Sequence, residues 1–229
     1  MTKQTGFLLS YIKYGDHDAI LHCFTKEVGF QSFFVRGIYS AKNKKKAYLL
    51  AMNELVLTLS AHKNSSAIPN ISNIESAKHS EIYGNIKATS VMFFVADFLH
   101  QILKNETKQD VIYGEIQQFI REVEEHNYRA HLFFLIKILK TQGLAPLLGE
   151  GVYLDPHSGN FSTIQTHHLF SKEISKIWKD LILEDIPYEP KISQEYRGVF
   201  LDSILIYYHY HFPNFKTPHS LDILTQVFE

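Results

Sequence analysis

From Gly6 to about Ser60 the apolar pattern has the short period of strands that bury one face. The alternation is cleanest in ELVLTLSAH, where Leu55, Leu57 and Leu59 alternate with Val56, Thr58 and Ser60. FLLSYIKY, AILHCFT and FQSFFVRG repeat the pattern. The turn formers Tyr14-Gly15-Asp16 and Glu27-Val28-Gly29 separate them as hairpin connections do. A fifth, weaker strand is expected near Ile71 to Ser76, after Pro69. Five short strands predict a small closed or nearly closed barrel, because an antiparallel sheet of this size hides its edges best by curling on itself.

After Ser80 the period lengthens to that of helices. In SVMFFVADFLHQIL the residues Val91, Phe94, Val95, Phe98, Leu99 and Ile102 form one apolar face. A second helix carries Ile112, Ile116, Phe119, Ile120 and Val123. The third, from about Arg129 to Gln142, is apolar nearly all round at Leu132 to Ile136 and belongs at the centre of a bundle, with Gly143 and Pro146 as its stop. Residues 144–166 read as a long connection, and the run GLAPLLGEGVYLDPHSGNF from Gly143 holds four glycines and two prolines. Ser171 is placed to cap a helix with Ile174, Ile177, Trp178, Leu181 and Ile182 inward. Ser193 starts another, in which Tyr196, Val199, Phe200, Ser203, Ile204, Tyr207, Tyr208 and His211 share a face, and a last short helix begins near Ser220. The expected fold class is α+β, with a five-stranded barrel at 1–80 and an all-α helical domain at 81–229.

Composition agrees with a folded chain: 229 residues, 45% hydrophobic and 21% charged. Apolar runs such as Leu132 to Ile136 break well short of the roughly 20 residues of a membrane span. The first residues lead into no signal-peptide core. A cytoplasmic chain with no membrane partner is expected. The single cysteine, Cys23, excludes an internal disulfide and a cysteine-rich zinc site, and its apolar neighbourhood reads as a buried strand. The net charge of −1 hides an asymmetry. Residues 1–80 hold ten lysines and arginines against five acids, a balance of +5, and residues 81–229 hold thirteen against nineteen, a balance of −6. The basic half is a candidate for polyanions.

Thirteen histidines invite a metal search, but His167-His168 and His209-Tyr-His211 do not place two imidazoles on one helical face. There is no G-x-S-x-G, no phosphate-binding G-x-x-x-x-G-K-[ST] and no strand-linked G-x-G-x-x-G; Gly149-Glu-Gly151 has two of the glycines and follows no strand. Asp16, Asp18 and Asp155 read as turn formers. Neither catalysis, a cofactor nor a metal is expected.

The stretch VRGIYSAKNKKKAYLL differs in kind. It places Arg36, Lys42, Lys44, Lys45 and Lys46 between two strands, with the edge aromatics Tyr39 and Tyr48 expected to be exposed and Tyr11, Tyr14, Phe33 and Phe34 close in sequence. Barrels that bind single-stranded nucleic acid join a cationic track for phosphates to aromatic faces for bases. A solvated lysine loop is the plain alternative, and the residues alone leave both open. A second group is Lys137 and Lys140, with Arg129 at the start of the same helix. Cations near a helix C-terminus are favoured by its dipole, and they also suit an acidic, apolar peptide tail beside a groove.

In their order along the chain these motifs resemble the RecO family of bacterial recombination mediators. SYIKYGDHDAILHCFTKEVGF, Ser10 to Phe30, is similar to the family's strand, Tyr-Gly-Glu-x-Asp-like turn and strand ending in Phe-Thr, with Asp16 where Glu is commoner. Arg36-Gly37-Ile38-Tyr39 followed by Ala41 to Lys46 looks like its Lys-Gly-Ala-Arg and cationic loop, with the cations moved later. ILKTQGLAP, Ile138 to Pro146, resembles a leucine-rich helix ending in Gly-Tyr-x-Pro, and the tail matches through Arg197, Leu201, Tyr207-Tyr208, His211, Pro213, Phe215, Ser220-Leu221, Leu224 and Phe228. Many relatives carry a four-cysteine zinc finger before an Asp-Pro-x-x-Gly segment; this chain keeps LDPHSGNF, Leu154 to Phe161, without the cysteines. Zinc is therefore expected to be absent, with packing by Leu147, Leu148, Tyr153 and Phe161 in its place.

The resemblance implies an N-terminal OB-fold and a helical C-terminal domain. It implies a non-enzymatic mediator of DNA repair, in the RecFOR pathway, that binds single- and double-stranded DNA and anneals complementary strands. With RecR it would help RecA load on DNA coated by single-strand-binding protein (SSB), whose acidic C-terminal tail would meet the helical domain at Lys137, Lys140 and Arg129. Arg36, Lys42, Lys44, Lys45 and Lys46 are then the expected phosphate contacts and Tyr39 a stacking residue. The rival readings are a protein-docking scaffold with a merely solvated loop and, third, a metal-dependent nuclease.

Overall fold

The computed structural model describes residues 2–60, 68–78, 81–183, 188 and 192–228. The chain forms two compact units, residues 1–114 with 218–229 and residues 115–217.

The first unit is built on a closed barrel of five strands, β1 Lys3–Tyr14, β2 Asp18–Thr25, β3 Gly29–Val35, β4 Glu54–Leu59 and β5 Asn70–Ser76. Their order around the barrel is β1-β2-β3-β5-β4, with β1 and β4 closing it and β3 and β5 running parallel, the connectivity of an OB-fold. Alternation does the sorting. Ala19, Leu21 and Cys23 of β2 and Phe33 and Val35 of β3 point into the core, joined by Leu8, Leu55, Leu57 and Ile74. Burial pushes the Cys23 thiol well up, so it stays an unreactive core group. Ala61 and His62, expected to continue the fourth strand, lie outside the described residues, as does the expected boundary at Ser80.

β1 is the longest strand and serves two partners, pairing with β4 over Lys3–Phe7 and with β2 over Gly6–Tyr14. A bulge between Leu8 and Ser10 changes which face each side chain takes, so Phe7, Leu8 and Leu9 are all buried in succession. Gly29 joins β2 to β3 at φ +83°, and a Cβ there would lie 2.3 Å from the Thr107 backbone, so only glycine fits. Beside the barrel, α1 Ile86–Ile102 is capped by Asn85, whose Oδ1 accepts from Lys87 and Ala88 N–H. The short α6 Leu221–Phe228 packs on α1, and the Asp97 carboxylate accepts from both the N–H and the hydroxyl of Ser220 at its start. The division between units falls within α2 Asp110–Glu124.

The second unit centres on α3 Ala130–Thr141, in which Leu132 to Ile136 are all buried, as the unbroken apolar run predicts. Around it lie α4 Lys172–Leu183 and α5 Gln194–His211. Trp178 is fully buried and donates from Nε1 to Ser203 Oγ at 2.9 Å, and Tyr208 donates to the Leu135 carbonyl at 2.7 Å. Ser171 caps α4 through Ile174 N–H. Val199, expected on the inward face of α5, is instead exposed.

The long connection is structured: β6 Tyr153–Asp155 and β7 Asn160–Ser162 form a hairpin. Its expected packing is corrected in part: Leu147 is 70% and Leu148 45% exposed, whereas Tyr153 and Phe161 are half-buried. Leu154 is fully buried, with its N–H donating to Ser175 Oγ at 2.9 Å. Asp155 ties the turn together by accepting from Ser158 Oγ, Thr166 Oγ1 and His157 N–H. Partial burial opposes its charge, but those donors outweigh burial and hold the carboxyl below the usual range. Gly159 packs against the Tyr207 hydroxyl, and the His211 ring meets the Pro156 carbonyl at 2.9 Å. Ser175, Tyr207 and His211 thus hold this hairpin from α4 and α5.

Candidate nucleic-acid interface

After Val35 the chain leaves the barrel through Arg36 and Gly37, whose φ of +63° turns it sharply. Three side chains hold the loop that follows. Asp18 Oδ1 accepts from Gly37 N–H at 2.8 Å, and Ser40 Oγ and Asn43 Nδ2 donate to the Gly37 carbonyl at 2.8 and 3.0 Å. Asn43 Oδ1 accepts from Lys45 N–H at 2.9 Å and so caps a short 3-10 helix, Lys44–Tyr48. Such a helix has three residues per turn, so the consecutive lysines 44, 45 and 46 leave it in directions about 120° apart.

That divergence splits the basic run. Arg36, Lys42, Lys44 and Lys45, with Ser40 and Asn43, line an open cleft of about 440 Å³. Buried Val35, Ile38, Ile71 and Ile74 form its floor, and Ser72 and Asn73 of β5 its polar side. Lys45 Nζ bonds Asn73 Oδ1, and Asn73 Nδ2 donates to Glu75 Oε1 at 2.8 Å. Arg36, Lys42 and Lys44 are exposed and, among the described residues, meet no carboxylate. The lining also carries the hydroxyls of Ser40 and Ser72.

Lys46 leaves on another side, with Nζ 5.5 Å from the centre of the Tyr39 ring, and Lys13 Nζ lies 5.8 Å from the same centre. Partial burial, then nearby Tyr11, push the Tyr39 hydroxyl up, so it stays neutral. The aromatics sort differently from the expectation. Phe33 is in the barrel core, whereas Phe34 faces outward and meets Tyr14 edge-to-face at 5.6 Å. Tyr39 and Tyr48, expected at an exposed edge, are half-buried against the core. The cause is local: Ile38 and Leu49 enter the core and draw their neighbours inward.

In the helical unit Arg129, Phe133, Lys137 and Lys140 follow one stripe of α3, at spacings of four, four and three. Arg129 is exposed at the N-cap, beside Arg197. Lys137 pairs with Glu115 at 3.5 Å and sits 5.8 Å from the Phe133 ring, and the Tyr188 hydroxyl donates to the same Glu115. The stripe therefore holds one lysine already compensated within the unit. Lys140 is half-buried one turn further on.

Sequence reasoning missed Asp18, Asn43, Asn73 and Lys13. Asn43 had a readable signal, an Asn directly ahead of a helical turn whose side chain can accept from the N–H two residues on. Lys13 had none, because tertiary folding brings Tyr39 to it. Of the histidines, His167 and His168 stack at 4.6 Å and His211 stacks on Tyr207 at 4.1 Å. Among the described residues no three His, Cys, Asp or Glu side chains gather as a metal site, and the hairpin supplies no thiolate.

Residues 1–79 match the family model described as Recombination protein O N terminal. The chain is similar along nearly its whole length to curated relatives named DNA repair protein RecO. That of Flavobacterium psychrophilum is 28% identical, covering 99% of this chain and 98% of the relative. That of Flavobacterium johnsoniae is 26% identical with the same coverage, and that of Azobacteroides pseudotrichonymphae 27%, covering 99% of each.

Proposed function

We propose, on the premise that the chain is a member of the RecO family, that it is a recombination mediator in DNA repair that works by binding and not by catalysis. The observation that carries this reading is the cleft on the barrel, rimmed by four cations and floored by apolar side chains. Phosphates of a DNA backbone suit Arg36, Lys42, Lys44, Lys45 and Lys46, with Tyr39 as an aromatic beside them. Contacts of this kind position a strand without reading its sequence, so single- and double-stranded DNA both bind non-specifically. The 1–80 barrel is the DNA-binding part. The 81–229 part docks partners, its Arg129, Lys137 and Lys140 receiving the acidic tail of SSB. With RecR, the protein anneals strands and assists RecA loading in the cytoplasm, without a cofactor.

Titration of a fluorescent oligonucleotide at several salt concentrations tests the reading. Five phosphate contacts on a single strand give a slope of log K against log salt of about −3.5, or roughly 100-fold between 50 and 200 mM salt. A variant with Lys42, Lys44, Lys45 and Lys46 changed to Glu is expected to lose most of that slope. Equal affinity and slope in both proteins would leave the rival reading, a docking scaffold with a solvated loop. Added divalent metal is expected to release no cleavage products.

A further inference from the structure

We infer that Lys13 and Lys46, held together over the Tyr39 ring, form a second phosphate-binding station outside the cleft, so that a bound single strand passes across the loop from one to the other. The inference rests on the DNA-binding reading of the loop and extends it to a residue on β1. Lys13 pairs with Ala19 in the barrel register, so its side chain shares the inward face of β1; being near the far end of that strand, it is exposed and reaches Tyr39 instead of the core. The backbone that carries the ring is fixed, since Tyr39 N–H donates to the His17 carbonyl at 2.9 Å. Both ammonium groups lie within 6 Å of one ring centre, hence no more than about 12 Å apart, and neither meets a carboxylate among the described residues. Two like charges gathered on a neutral ring leave positive potential that an anion relieves. At that upper limit the pair covers no more than roughly three phosphates at about 3.4 Å of rise each. Continuity with the cleft comes from the 3-10 turn, where Lys44 and Lys45 face the cleft and Lys46 faces Tyr39.

The test uses the full chain and a single-stranded oligonucleotide at 50 to 200 mM salt. Lys13→Gln is expected to shrink the magnitude of the salt slope by about 0.7, and Lys13→Gln with Lys46→Gln by about 1.4, which is roughly a sevenfold smaller loss of affinity over that salt range. Tyr39→Phe keeps the ring and is expected to keep the slope. A merely structural role for Lys13 would alter the unfolding temperature and leave the slope of the folded protein unchanged. A cleft variant, Arg36→Gln with Lys42→Gln and Lys44→Gln, separates the two claims. If the cleft variant weakens binding while Lys13→Gln keeps the wild-type slope, the second station is overturned and the cleft stands. If neither changes the slope, the DNA-binding reading of the loop falls, and this inference with it.

Discussion

His131 makes folding of the helical unit depend on pH in a direction and size that the structure fixes. It is the second residue of α3, is 6% exposed, and its Nδ1 donates to the Tyr128 carbonyl at 2.9 Å. Burial penalises the imidazolium, and the Tyr128 carbonyl only partly offsets this, so the folded pKa is pushed down to about 4 from 6.5. Well above pH 6.5 the ring is neutral in both folded and unfolded chains and has no effect. As pH falls from 6.5 towards 4 the unfolded chain takes up a proton that the folded chain refuses, so stability is lost through that window and levels off below it. At pH 5 the unfolded ring is almost wholly protonated and the folded ring about one tenth so, a loss of about 2 kcal/mol relative to pH 7. That is a large part of a typical stability of about 5–15 kcal/mol. The assay is urea unfolding followed by fluorescence of Trp178, which is buried in the same unit. Wild type and His131→Gln are each measured at pH 7 and pH 5, and the pH effect is compared within each protein, which cancels any fixed cost of the substitution. Burial also pushes down the His22, His100 and His167 imidazoles, and both proteins keep that shared background. An equal loss in the two proteins would refute the account of His131.

The hairpin of the helical unit gives a paired test: Leu154→Ala empties a fully buried site and is expected to cost about 2–5 kcal/mol in urea unfolding, whereas Leu147→Ala, at an exposed site, is expected to stay within about 0.5 kcal/mol. Gly29→Ala puts a methyl group against the Thr107 backbone at a left-handed φ and is expected to lower the unfolding temperature of the barrel unit; an unchanged value would show that the β2–β3 turn has room. A synthetic peptide with an acidic, apolar end is expected to bind the full chain and to weaken on Lys137→Glu with Lys140→Glu. Unchanged binding would move that site off the α3 stripe.

Strand and helix positions were legible because their signals are local and repeated. Leu55 and Leu57 alternate, and Leu132 to Ile136 are apolar without a break, and the structure puts all of them in cores. What was not legible depended on contacts distant in sequence. The bulge in β1 buries Phe7, Leu8 and Leu9 together, against simple alternation, because β1 serves two neighbouring strands. The β6–β7 strands have three residues each, too short for a period to show, and are held by Ser175, Tyr207 and His211 from α4 and α5.

The basic loop shows the same boundary within one stretch of chain. Its charge could be read directly, but where each charge points could not. The cap from Asn43 to Lys45 N–H sets a 3-10 turn, and the turn separates neighbouring lysines by about a third of a revolution each. A strand or an extended loop would instead have shown residues 44 and 46 on one side and residue 45 on the other. Because Asn43 also holds the Gly37 carbonyl, one side chain fixes both the start of the loop, at Arg36, and its lysine-rich end. Five cations close together in sequence therefore become two groups in space, four around the cleft and Lys46 beside Lys13, so the residue that completes the second group comes from the first strand and not from the loop.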